Sequence, residues 1–276
     1  MIHTQTREPL DNRKEQLVKP PIPACLFAIL LFAGMLVMLE MGRRLGIRRR
    51  PKESEGERAS LGTIEGAVFA LFGLVVAFTF SGAASRFNEK RALIAEEANC
   101  IETAYLRVHL LSETRQPELQ ELFRRYIDSR LETYRRLPDM EAAKVEIDNT
   151  RELQREIWSK AISATALPGS HIDAGKLLLP ALNNMIDIAT TRYMALQNHP
   201  PAVIYVLLFS LGLICSLLAG YRMAVGQHRS WLHIVSFALI TVIVIYVVLD
   251  VEYPRTGLIR LAAFDQVLAD VRAHME

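Results

Sequence analysis

Four stretches of about twenty residues carry no Asp, Glu, Lys or Arg: 20–39, 66–85, 200–221 and 230–249. A helix needs about 20 apolar residues to cross the hydrocarbon core of a bilayer. One Arg or Asp at the centre of such a helix costs about 2.5–3.5 kcal/mol, so lipid removes charge from all faces at once. A buried helix of a soluble protein usually keeps a polar face. The pattern therefore predicts four spanning helices, with both termini on one side of the membrane. The first run starts too far from the N-terminus and lacks the small-residue site of a cleaved signal peptide, so it reads as a span. His233 sits near the start of the fourth run, where its ring reaches the interface, and reads as structural.

The second run does not stop at Ser85. No Gly or Pro interrupts Arg86–Arg91, and beyond it Ile94, Ala98, Ile101, Tyr105 and Val108 recur at 4-3-4-3 spacing, the stripe of an amphipathic helix. One long helix from Gly62 to Leu111 is predicted, half in lipid and half in water. About 25 residues beyond the membrane project roughly 38 Å at 1.5 Å per residue.

The segment 86–199 has a helical texture of its own. A first stripe is Leu119, Phe123, Tyr126, Ile127, Leu131 and Tyr134, ended by Leu137-Pro138-Asp139. A second is Leu153, Ile157 and Ile162, ended by Pro168-Gly169-Ser170. A third runs from Leu177 to Asn198. No strand alternation is evident, and a helical bundle built on the extended second span follows. The expected organisation is a polar tail 1–19, spans one and two in 20–85 with a basic connector 42–65, the bundle 86–199, spans three and four in 200–249, and an amphipathic tail 250–276. In that tail Phe264, Val267, Leu268 and Val271 share a face, which predicts docking on the bundle.

Composition agrees with the pattern. Half of the chain is apolar (51%) and the net charge is only +2, without the clustered basic face that nucleic acid requires. The connector holds seven Lys/Arg with Pro51, Gly56 and Gly62 as breakers, and reads as a solvated loop attracted to anionic lipid. Cys25, Cys100 and Cys215 form no CxxC pair, so neither disulfides nor zinc are indicated. Elements of familiar chemistry are missing: no GxSxG, no phosphate loop, no HExxH, no Glu-x-x-His pair. No catalytic residue, cofactor or metal is expected, and the chain does not read as an enzyme. A lipid-acting enzyme would have only Asp250, Glu252 and Arg255 to use; these read as a structural charge cluster. Glu96 and Glu97, near Arg91 and Arg107, read as a solvated, salt-bridged face.

The second span carries its own signal. Gly66, Ala70, Gly73, Ala77, Ser81 and Ala84 give it a small-residue face suited to close helix packing. Beside it Leu71, Leu74 and Phe78 form a bulky apolar stripe. Around a symmetry axis such a stripe would make a constriction that gates by dewetting. Arg86, just past the stripe, is the candidate for ion selectivity.

Several motifs resemble the bestrophin-like domain family of bacterial membrane proteins. They are Phe72–Arg91 (FGLVVAFTFSGAASRFNEKR), Glu96–Asn99 (EEAN), Thr103–Arg107 (TAYLR), Leu179–Arg192 (LPALNNMIDIATTR), His199–Pro201, Ala219–Tyr221, Arg229–His233 (RSWLH) and Leu249–Arg260 (LDVEYPRTGLIR). The resemblance covers roughly residues 62–272. Bestrophins proper are pentameric anion channels with four spans per subunit and a helical domain continuing the second. The resemblance thus implies a bacterial inner-membrane protein, a pore neck at Leu74 and Phe78, self-association up to a pentamer, and chloride or other small anions as partners. Three departures bear on this. Arg86 is followed by Phe87 and Asn88 instead of paired aromatics. Glu102 stands where the family has glycine. Beyond Asp250 and Glu252 there is no acidic calcium-binding cluster, so calcium gating is not expected.

The resulting expectation is an all-α, four-span, self-associating membrane protein that conducts anions. The alternative is a non-conducting scaffold or sensor whose helical domain binds a protein. Orientation is contested: Lys and Arg near the span ends number ten on the termini side and nine on the other. The dense connector favours itself in the cytoplasm, whereas the resemblance favours the termini and bundle there.

Overall fold

The computed structural model describes residues 24–49, 51, 53–137, 139–225, 231–254, 258–259 and 265–275. The N-terminal tail, the start of the first uncharged run, Arg255 and Phe264 lie outside the described residues. Among the described residues eight α-helices follow one another: α1 Ala24–Arg49, α2 Glu55–Arg107, α3 Gln116–Arg136, α4 Met140–Thr165, α5 Ala174–Gln197, α6 Ala202–Arg222, α7 Trp231–Glu252 and α8 Gln266–Ala273. There is no strand among the described residues. Helices long and apolar enough to cross a membrane lie in Ala24–Arg49, Glu55–Leu110, Ala174–Arg222 and Trp231–Glu252.

The second helix is longer than the sequence pattern predicts. It starts at Glu55, and α1 runs on to Arg49, so the connector shrinks to a few residues. Gly56 and Gly62 are helical and do not break the chain. Two facts explain this. Glycine inside a helix costs only about 1 kcal/mol, and Ser54 with Glu57 forms a capping box: Glu57 accepts from the Ser54 amide at 2.7 Å while Ser54 Oγ accepts from the Glu57 amide at 3.3 Å.

The chain divides into two units, with α2 contributing residues 55–87 to one and 88–107 to the other. The first holds α1, α6, α7 and the apolar half of α2. Here α1 and α6 run parallel at backbone contact. A Cβ on Gly42 would lie 1.9 Å from the Leu217 carbonyl oxygen, and one on Gly220 would lie 2.0 Å from that of Leu39. Gly46 meets Tyr221 and Ala224 in the same way. Only glycine permits that approach. Leu31, Met35 and Leu39 of α1, Leu208 of α6 and Ile234, Ala238, Val242 and Ile245 of α7 form the core, and Phe72, Val75 and Val76 of α2 lean on it.

The second unit is a helical bundle. Ile101, Leu119, Phe123, Tyr126, Ile127, Leu178, Leu182 and Met185 are fully buried in it, joined by Leu153 and Ile157 of α4 and by Leu268, Val271 and Met275 at the C-terminus. The second stripe needs correction: Ile162 is exposed, while Ala161 and Ala164 are buried, because 153, 157, 161 and 164 stay on one helical face. Val267 is likewise exposed beside the buried Leu268. Asp139 caps α4 by accepting from the Ala142 amide, and Gly169 turns the chain toward α5 with φ of 90°, a conformation that favours glycine.

Candidate functional site

Leu71, Leu74 and Phe78 stand at i, i+3 and i+7 on one face of α2. That face is bare: the three side chains are 50%, 52% and 70% exposed. The neighbouring small-residue face is equally open, with no atom within 4 Å of where a Cβ on Gly66 or Gly73 would stand. The helix packs on its own chain through the opposite side. Phe69 meets Phe237 edge-on at 6.2 Å, and Phe72 approaches Gly212. The small residues expected to seat a helix are therefore not used within the chain. Close packing occurs instead at Gly42 and Gly46, a Gly-x-x-x-Gly spacing in α1, and at Gly220 of α6.

Past this face, Arg86 turns to the end of α7. Its Nε and Nη2 donate to Glu252 at 2.9 and 2.7 Å. The Glu252 carboxylate is buried and also lies 3.0 Å from Nδ1 of His199, whose ring stacks on Tyr253 at 4.7 Å between centroids. Arg86 is thus matched by a carboxylate, so the positive charge it presents is reduced. Asp250 serves the backbone: its two carboxylate oxygens accept from the amides of Leu258 and Ile259 at 2.8 and 2.9 Å. Of the expected cluster, Asp250 and Glu252 thus hold different partners, and Arg255 lies outside the described residues.

A second charged constellation lies in the bundle, where none was expected. Glu97 is completely buried and is no part of a solvated face; Glu96, beside it, is exposed. Arg130 Nε of α3 donates to Glu97 at 2.5 Å, Arg192 of α5 donates to its other oxygen, and the Tyr134 hydroxyl donates to it at 3.1 Å. Arg192 also holds Asp265 at 2.5 Å, and its guanidinium lies 3.5 Å over the Tyr134 ring. Burial pushes the Glu97 carboxyl up, but Arg130 and Arg192 outweigh it and hold the group below its ordinary value. Burial also raises the Tyr134 phenol and pushes Tyr126 up to about 12. Two cations against two carboxylates leave no net charge to attract an ion, and the network ties α2, α3, α5 and the C-terminal segment together. The sequence held a signal for it. Glu97 falls within the Ile94–Ala98–Ile101 stripe, Arg130 between Tyr126 and Tyr134, and Arg192 one turn after Ile188, so each is a charge on an apolar face. Among the described residues no group of three His, Cys, Asp or Glu is placed to hold a metal ion.

The architecture is that of a helical, multi-span membrane protein. Its sequence matches the Bestrophin-like domain over residues 29–262, and the chain belongs to the bestrophin-like family. Comparison with curated proteins and with solved structures finds no match.

Proposed function

We propose that the protein is an ion channel of the cell membrane, homo-oligomeric and anion-selective, with α2 lining its pore. The observation that carries this reading is the bare face of α2. Leu71, Leu74 and Phe78 project from a helix on which Gly66 and Gly73 face open space. In a symmetric ring the small face admits the adjacent copy and the bulky stripe turns to the axis. Rings of Leu71, Leu74 and Phe78 would then exclude water at small radius and control passage without choosing its sign. Charge preference falls to the mouth, where Arg86 is set against Glu252 and His199. Membership of the bestrophin-like family supports the same reading, with a pentamer as the expected ring and chloride as the simplest permeant ion. Imaging the purified oligomer by electron microscopy tests it: a continuous central path lined by α2 is expected. A particle with no axial opening, or with α2 turned outward to lipid, would leave the non-conducting scaffold as the reading.

A further inference from the structure

The unit that holds α1, α6 and α7 contains a crevice of about 500 Å³ that the pore reading does not use. Its apolar lining comes from Leu45 of α1, Leu61 and Ile64 of α2, and Leu217 and Leu218 of α6, beside Gly42. Leu45, Leu61 and Ile64 are exposed large hydrophobics. The crevice lies where the uncharged runs meet the first charged residues: Glu40 and Arg43 after the first run, Glu65 before the second, Arg222 after the third. In a four-span membrane protein that is the level of the lipid headgroups. Charge of both signs borders it, from Arg49, Glu53, Glu57 and Glu65. Glu65 is buried and answered by Arg222 Nε at 2.8 Å, and Glu53 accepts from the Tyr221 hydroxyl. Glu57 is exposed and, among the described residues, hydrogen-bonds only to Ser54, which carries no charge. Arg49, exposed at the end of α1, makes no ion pair with any described residue.

We propose that this crevice binds one phospholipid with a primary-amine headgroup. An acyl chain lies along Leu45, Leu61, Ile64, Leu217 and Leu218, the phosphate meets Arg49, and the ammonium donates to Glu57. Both signs of charge at the mouth are then used. A purely anionic headgroup would match Arg49 but face the carboxylates of Glu53 and Glu57. A quaternary amine would carry the charge but no N–H to donate. A small apolar solute would leave the charged rim unused.

The test is lipid retention by the full-length protein. The protein is reconstituted with equal parts phosphatidylethanolamine, phosphatidylcholine and phosphatidylglycerol, extracted in mild detergent, and its bound lipids are identified by native mass spectrometry. Phosphatidylethanolamine is expected to exceed phosphatidylcholine by about fivefold, the net worth of one hydrogen bond. Glu57→Gln, which keeps the capping box but replaces a charged acceptor with a weaker neutral one, is expected to lower that ratio, and Leu218→Trp to remove the bound lipid by filling the crevice. Equal retention of all three lipids, or enrichment of phosphatidylglycerol, overturns the proposal. So does a preference unchanged in Glu57→Gln, which decides the matter even where Leu218→Trp folds poorly.

Discussion

Arg86 and Glu252, 166 residues apart, form a two-nitrogen ion pair at 2.9 and 2.7 Å. The carboxylate is buried and the guanidinium about a quarter exposed. Removing one partner of a buried pair leaves the other uncompensated and costs about 3–5 kcal/mol, whereas the pair itself contributes little net stability. The pair also sets the charge at the end of α2. Glu252→Gln should raise the preference for anions over cations, because Arg86 then stands unopposed, and Arg86→Ala should lower it. Reversal potentials in a chloride gradient check both directions, and a preference that moves the same way in both variants removes Arg86 from the selectivity account.

The glycines make two opposite predictions. Gly220→Leu should abolish the folded membrane unit, since its Cβ would stand 2.0 Å from the Leu39 carbonyl oxygen, where no side chain can give way. Gly73→Leu should leave the chain folded, because nothing lies within 4 Å, yet reduce self-association. Size-exclusion chromatography with light scattering separates the outcomes: aggregate or no yield for the first, a smaller well-folded species for the second. An unchanged oligomer in Gly73→Leu would mean that the small face of α2 meets only lipid.

Glu97 gives the bundle an acid limit. Its carboxyl is held below the ordinary 4.5 by Arg130 and Arg192 against the cost of burial. The stabilisation is therefore fully present above about 4.5 and is lost as pH falls through the depressed value. Glu97→Gln should cost about 3–5 kcal/mol near neutral pH and flatten the decline of melting temperature in acid. Thermal melts from pH 7 to 3 check this. An equally steep acid decline in the variant would place the lability on other carboxylates.

The four spans were legible because lipid acts on every face of a helix, so absence of charge over twenty residues is a strong signal. The stripe from Leu119 to Tyr134 was legible for the opposite reason, a periodic core among charges, and all but Leu131 are fully buried. Glycine misled in both directions. Gly56 and Gly62 looked like breakers in a basic connector, although the Ser54–Glu57 cap outweighs their modest helix cost. Gly42, Gly46 and Gly220 set the α1–α6 contact, a role that the pattern of apolar positions does not mark. The Glu97 network was hidden because its partners lie 33 and 95 residues away, and spacing along one helix cannot show which charges meet.

The neck of the pore is tested most directly by chloride efflux from vesicles holding the purified protein, wild type beside Phe78→Ala. Phe78 is 70% exposed within its own chain, so truncation should cost the fold far less than the about 3–5 kcal/mol of a buried Phe→Ala change. Widening an apolar constriction lets it wet. The account predicts chloride flux above empty vesicles for the wild type and a higher flux for Phe78→Ala, with the oligomer intact. Wild-type flux no greater than that of empty vesicles, together with a Phe78→Ala variant that only loses oligomer, would contradict it.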